Sequence, residues 1–322
     1  MSNQIRAGTG KSNITCRSQG TQCELLSEKT RAHIPEEFWD KKIEIDDPLF
    51  VRALVLDDGD TRVLQITMDI TAVGCRSISQ YILNDSADDF MPNLRTRIFD
   101  TWGIPGNHVT VNASHTHPPG LLLVDDEKQI DCTMEAIGHA LASMEPVTIG
   151  VGTGREDRLT VNRTLMLKNG RDHTMRSCFS PVPDEEVEAL RPIDPEIGIL
   201  RIDRLDGTPL AVVYNFASHL LMGTHKYVIT ADWPGVASQY LEEHIGGDVM
   251  ALFVQGALGD TQEVAYNDRE QPRSCYSFGA TMGESTLKAF RRIQPSAPAL
   301  TVVSTTVEFP LRTDIPDVVA AI

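Results

Sequence analysis

Apolar residues in this chain gather in short runs that polar turns interrupt. Phe50-Val51-Arg52-Ala53-Leu54-Val55-Leu56 reads as a strand, Asp57-Asp58-Gly59-Asp60 as a turn, and Val63-Leu64-Gln65-Ile66-Thr67-Met68-Asp69 as the returning partner. The same arrangement recurs around Asp206-Gly207, between residues 197–202 and 210–216. Residues 5–14 predict a short strand entering a long polar loop over 16–47. Further strands are predicted at 108–113, 147–151, 249–254 and 300–309. Helical spacing replaces the strand pattern over residues 78–102, where Gly103 and Pro105 stop it, and again over 128–144, 234–244 and 279–293. Helices interspersed with strands and hairpins predict an α/β protein with a mixed central sheet and flanking helices. No repeat or linker-like shift divides residues 1–322, so they read as a single domain. In open sheets of this kind, chemistry collects just beyond the strand ends.

The histidines are the first candidates at those ends. His115-Thr116-His117 follows the strand at 108–113 and is turned by Pro118-Pro119-Gly120. Residues two apart in an extended strand point the same way, so His115 and His117 can face one pocket. Neutral imidazole is the commonest protein ligand for zinc. The bland alternative is a pair of loop histidines that only hydrogen-bond. His219 repeats the arrangement, because the apolar strand at 210–216 runs into Ala217-Ser218-His219. His225 lies in a looser stretch and reads as solvent-facing, while His33, His108, His139, His173 and His244 read as structural. Asp232 and Asp69 each have two readings, a helix N-cap or a carboxylate orienting a metal-bound histidine. Asp260 ends a further buried strand among glycines that permit close backbone approach, and it completes the candidate set. Gly8-Thr9-Gly10-Lys11-Ser12 is not a phosphate loop, since Ile5 stands where its first glycine is required.

Composition narrows the partners. A net charge of -16 repels phosphate backbones and anionic lipid, which argues against nucleic acid. No stretch approaches the roughly 20 apolar residues that span a bilayer, and the N-terminus lacks a signal peptide's apolar core, so a cytoplasmic location is expected. Six cysteines without a C-x-x-C pair are too sparse for a disulfide scaffold. Cys16 and Cys23 share a polar loop, yet reduced thiols are the expectation. Nothing in these patterns fixes the oligomeric state.

Taken in order, the strand-end motifs resemble the neutral/alkaline ceramidase family. They run from Ile5-Arg6-Ala7-Gly8 and Asn13-Ile14-Thr15 through Asp47-Pro48-Leu49-Phe50-Val51-Arg52-Ala53-Leu54 to Asn112-Ala113-Ser114-His115-Thr116-His117. Val161-Asn162-Arg163, Asp194-Pro195-Glu196-Ile197-Gly198-Ile199-Leu200-Arg201 and Asn215-Phe216-Ala217-Ser218-His219 follow. Ala231-Asp232-Trp233-Pro234-Gly235 and Gln255-Gly256-Ala257-Leu258-Gly259-Asp260 close the series. The resemblance implies a zinc amidase that cleaves the N-acyl bond of a lipid or small-molecule amide. It implies Zn2+ held by His115 and His219, with His117 facing the substrate and Arg163 helping to hold it. Asp260 stands with His117 and Arg163 as a candidate catalytic residue.

Two departures qualify that picture. The family's remaining ligands, a glutamate and a tyrosine, come from a region after the point where this chain stops, so a catalytic domain lacking its C-terminal part is expected. Gln262 occupies the place of the family's serine. Zinc chemistry survives this change, because metal-activated water can itself be the nucleophile. Glu263 or Asp260 is chemically able to replace the absent carboxylate ligand, although nothing in the spacing demands it. The leading expectation is a zinc-dependent amide hydrolase. The alternatives are a non-catalytic binding protein and a metal-dependent esterase acting on a non-ceramide substrate.

Overall fold

The computed structural model describes residues 4–15, 44–73, 87–117, 126–174, 182–222, 228–263 and 274–308. Its main feature is an eight-stranded mixed sheet. The strands are β1 (Arg6–Asn13), β3 (Phe50–Asp57), β4 (Arg62–Met68), β5 (Val109–Ala113), β6 (Glu145–Arg155), β11 (Glu196–Arg204), β12 (Pro209–Phe216) and β14 (Met250–Gln255). Across the sheet they lie in the order β14-β12-β11-β6-β1-β3-β4-β5. The β4–β5 and β12–β14 pairs are parallel and the others antiparallel. Both hairpins expected from the sequence form, and the glycines of their turns, Gly59 and Gly207, take φ of 91° and 85°. A Cβ disfavours that left-handed backbone.

Among the described residues, four α-helices lie on one face: α1 (Ala87–Trp102), α2 (Asp126–Ala142), α3 (Asp232–Ile245) and α4 (Cys275–Phe290). Each overlaps a helix expected from spacing. The N-terminal part of the first expectation, residues 78–86, falls outside the described residues. Gly103, with φ 67°, ends α1 by donating its amide to the Phe99 carbonyl at 2.7 Å. Close packing explains the glycines of β1. A Cβ added at Gly8 or Gly10 would sit 2.0 Å from the carbonyl oxygen of Ala140 or Ala136, so α2 lies directly on the strand.

Three apolar clusters stabilise this arrangement. Val51, Ala53, Val55, Ile66 and Met68 pack against Phe90 and Leu94 of α1 and Ile137 of α2. Tyr214, Phe216 and Phe253 pack against Trp233 of α3 and Phe278 of α4. A fully buried side chain of this size contributes about 1.5–3 kcal/mol. The third cluster joins Leu54 and Leu56 of β3 to Ala211 and Leu252 of β12 and β14, strands that are not neighbours in the sheet. The helix-free face is therefore concave, and the sheet curls upon it. The curl brings its two edges together: the Asn112 side chain of β5 accepts from the Gln255 amide of β14 at 2.8 Å and reaches the Gln255 carbonyl at 3.5 Å.

Smaller pairs complete the described strands. They are β2 (Glu44–Ile45) with β13 (Val228–Ile229), β7 (Thr160–Asn162) with β15 (Thr261–Glu263), and a three-stranded sheet of β8 (Leu165–Leu167), β9 (Asp172–His173) and β10 (Val187–Leu190). The strand expected at residues 5–14 forms as β1, an interior strand paired with β3 along its whole length, and the close fit of α2 accounts for its glycines. One expectation needs correction. Residues 300–308 form no strand. Ser296 makes one bridge to Ile149 and Leu300 donates to Asp58, but Val303 and Val307 are exposed at 88% and 63% and find no ladder to join.

Candidate metal centre

β5 and β12 end side by side at the closed end of the curl, and a parallel bridge between Thr116 and Leu220 joins the segments that leave them. Thr116 is fully buried. Its hydroxyl donates to the Thr230 carbonyl at 2.8 Å, and its own carbonyl accepts from the Thr71 hydroxyl at 2.6 Å. With Thr116 and Leu220 tied down, their neighbours His115, His117 and His219 turn toward one another. Their ring centroids lie 4.5, 4.9 and 5.4 Å apart. The expected continuation of the strand through His115 does not occur. His115 has φ 72°, a strained left-handed backbone for a residue with a Cβ, held by its amide N–H donating to the Ile70 carbonyl at 2.9 Å.

The ring nitrogens divide by role. Nδ1 of His115 lies 2.8 Å from the Thr71 carbonyl, and Nδ1 of His219 lies 3.0 Å from the Leu258 carbonyl. A carbonyl only accepts, so each Nδ1 carries the proton and each Nε2 presents its lone pair. The two Nε2 atoms lie 3.3 Å apart, and Nε2 of His117 lies 2.9 Å from that of His115. Zinc–nitrogen bonds of about 2.0–2.1 Å at tetrahedral angles require a nitrogen–nitrogen edge of about 3.3–3.4 Å. The His115–His219 pair fits that edge. These three imidazoles are the cluster among the described residues able to hold a metal ion.

Burial, followed by neighbouring positive groups, keeps the centre neutral. It holds the His117 imidazole down to about 3, with help from His115, His219 and Arg163. It holds His219 down to about 4, with Arg163 the next cause, and lowers His115 as well. A metal-free centre therefore ties stability to pH. Between the ordinary histidine value near 6.5 and these lowered values, the unfolded chain binds protons that the folded chain does not. Stability consequently rises with pH across that window and is lost as pH falls. Each histidine contributes a limiting slope of about 1.4 kcal/mol per pH unit. Glu263, whose value is raised by burial and by Asp232, contributes in the opposite direction. The melting temperature of chelator-treated protein should therefore drop between pH 7 and pH 5. A flat profile would contradict this account.

Arg163 is buried beside the cluster. Its guanidinium donates to the Gly259 carbonyl and its amide donates to the Asp260 carbonyl at 2.6 Å. The Asp260 carboxylate accepts from Asn162 at 2.9 Å, while the residue itself is exposed. Glu263 is fully buried and accepts from the Leu221 amide. Neither Asp260 nor Glu263 joins the histidine cluster, so neither occupies the place of a replacement ligand. Gln262 is fully buried in β15, where its carbonyl accepts from Thr160 at 2.9 Å.

The two aspartates with double readings stand outside the histidine cluster. Asp69 accepts from Arg52 at 2.8 Å and from the Phe50 amide at 2.9 Å, in a buried ion pair. Asp232 is the first residue of α3 rather than its N-cap. It has φ 53° and accepts from the Trp233 amide at 2.6 Å. His108, His139 and His244 bond to backbone carbonyls, in keeping with structural roles. His173 stands in β9, apart from the cluster. His33, His225, the 118–120 turn, Cys16 and Cys23 lie outside the described residues. Cys132 and Cys275 are buried and form no disulfide among the described residues. Sequence reasoning missed the carbonyls of Thr71 and Leu258, because a backbone acceptor has no residue signature.

Comparisons with known proteins bear on the fold. The neutral ceramidase of Mycobacterium tuberculosis (strain ATCC 25618 / H37Rv) is 25% identical over 225 residues, which cover 63% of this chain and 32% of that protein. A crystal structure of neutral ceramidase from Pseudomonas aeruginosa shares the fold, with a TM-score of 0.65 and 16% identity over 91% of this chain and 45% of that one. A ceramidase complexed with C2 gives 0.64, with 17% identity over 90% and 44%. No family model matches. The chain is thus similar to neutral ceramidases in sequence and in fold. It spans about a third of the length of the curated relative and under half of the solved structures.

Proposed function

We propose that this protein is a zinc-dependent, ceramidase-like hydrolase of an N-acyl amide bond. In this reading His115 and His219 hold the metal, while His117 and Arg163 face the substrate. The observation that carries it is the 3.3 Å gap between two Nε2 atoms whose Nδ1 partners are fixed by carbonyls. Metal-binding histidines characteristically anchor their second nitrogen in this way. No such anchor fixes Nδ1 of His117 among the described residues, which supports a different role for that ring.

Bound zinc supplies a polarised carbonyl and a water acidified toward neutrality. The protein's own groups do the rest. Arg163 lies close enough to lower the pKa of all three histidines, so its charge bears on the same space where an amide oxygen gains negative charge. His117 is neutral and able to accept a proton from an attacking water or pass one to the leaving amine. Asp260 enters through Arg163, whose loop it holds by its carbonyl and its bond to Asn162. Gln262 carries no nucleophile, which favours water as the attacking group. Among the described residues no helix is long and apolar enough to cross a membrane.

The test is hydrolysis of short-chain N-acylsphingosines, simple N-acyl amides and matched esters, with and without a chelator. Chelation should remove at least about 99% of amide hydrolysis, and added zinc should restore it. Equal turnover in the two arms would end the metal-dependent reading. Zinc binding without turnover of any substrate would instead favour a binding protein, the alternative that buried Gln262 supports. Faster cleavage of the esters would reassign the substrate class.

A further inference from the structure

Leu258 to Glu263 is a short segment that touches the His219 region at both its ends. At one end the Leu258 carbonyl takes the His219 Nδ1 proton at 3.0 Å and so sets the ring's orientation. At the other, Glu263 is fully buried in β15 and reaches across to accept from the Leu221 amide, with the Met222 amide alongside. Leu221 and Met222 follow Leu220, the residue bridged to Thr116. A carboxyl group thus receives the chain as it leaves the bridge that brings the histidines together. Glu263 is itself held in register, because β15 pairs with β7 through Thr160 to Asn162.

We propose that Glu263 is a positioning residue for the metal centre, fixing His219 through the Leu221 and Met222 backbone amides rather than by touching the metal. The inference rests on the proposed metal-binding role of His219. Burying a carboxyl group is costly unless it performs a bonding task, and two adjacent amides supply one. Burial first, then the nearby Asp232 carboxylate, raise the Glu263 value well above the ordinary glutamate range. One carboxyl oxygen of Glu263, Oε1, accepts from the Leu221 amide. Its Oε2 has no hydrogen-bond partner among the described residues. A carboxyl oxygen used as a hydrogen-bond acceptor has a close replacement in glutamine, whose amide oxygen performs the same task at the same length. Alanine and methionine offer no acceptor, and methionine retains most of the volume.

The experiment measures zinc affinity by chelator competition, and the visible spectrum of the cobalt-substituted protein, for the full chain and for Glu263→Gln, Glu263→Ala and Glu263→Met. Loss of an outer supporting contact typically costs about 10–100-fold in metal affinity. Glu263→Ala and Glu263→Met should show that loss with an altered cobalt spectrum, and Glu263→Gln should restore both to near wild type. Should the alanine variant fail to fold, the methionine and glutamine variants make the same comparison. Equal affinity in all four proteins would overturn the inference while leaving the metal centre intact. Equal loss in the glutamine and methionine variants would also overturn it, since a required negative charge means direct ligation. A wild-type chain that binds no zinc would remove both this inference and the proposed function.

Discussion

His219→Ala and His115→Ala are each expected to strip the full chain of zinc. Structural zinc binds with about 10–16 kcal/mol shared among four ligands, so one ligand accounts for roughly 2.5–4 kcal/mol. Affinity should fall by two to three orders of magnitude, and amide hydrolysis should fall below detection. Here the loss has a second source. The two Nε2 atoms lie 3.3 Å apart, and each ring is fixed by its carbonyl partner, so the remaining imidazole cannot swing to compensate. His244→Ala is the control, because that ring is exposed and bonds to the Tyr240 carbonyl far from the cluster. Metal content by elemental analysis and affinity by competition decide the matter. Full zinc occupancy in both cluster variants would dismiss the ligand assignment.

Removing Arg163 or His117 should separate binding from chemistry. With zinc content unchanged, Arg163→Ala is expected to lower kcat by about 100–1,000-fold, the usual cost of losing one donor to a developing oxyanion. Arg163→Lys should recover only part, because an ammonium cannot reproduce the planar fork that reaches the Gly259 carbonyl. His117→Ala should retain the metal and lose about 100-fold or more in kcat, as expected of a proton-transfer group. Both variants need a melting curve beside the kinetics, since Arg163 is buried and a folding defect would mimic a catalytic one. Zinc loss in His117→Ala equal to that in His219→Ala would make His117 a third ligand. The division between anchored and unanchored rings would then be wrong.

The hairpins were legible because turn chemistry and apolar alternation act over a few residues. Asp57 to Asp60 and Asp206-Gly207 form the turns their composition predicts. The helices on α2, α3 and α4 were legible for the same reason, within a few residues at each end. Residues 300–308 show the limit of that method. Their alternation matches a strand, but a strand needs a partner edge, and none of the described residues supplies one. Asp232 and Asp69 show a second limit. Both follow strand-like segments, and only packing decided that Asp69 would pair with Arg52 and that Asp232 would open α3 with a left-handed backbone.

For the site itself, sequence alone determined which groups are chemically able to bind zinc, and that His115, His117 and His219 follow the ends of apolar strands. Those are properties of single residues and their near neighbours. Tertiary structure decided that His115 and His219, 104 positions apart, would place their Nε2 atoms 3.3 Å from each other. That distance depends on the curl that joins Asn112 to Gln255, on the bridge from Thr116 to Leu220, and on two backbone carbonyls that choose the tautomers. Each is a contact between segments distant in the chain, made through backbone atoms common to every residue. A linear pattern of side chains carries no record of it.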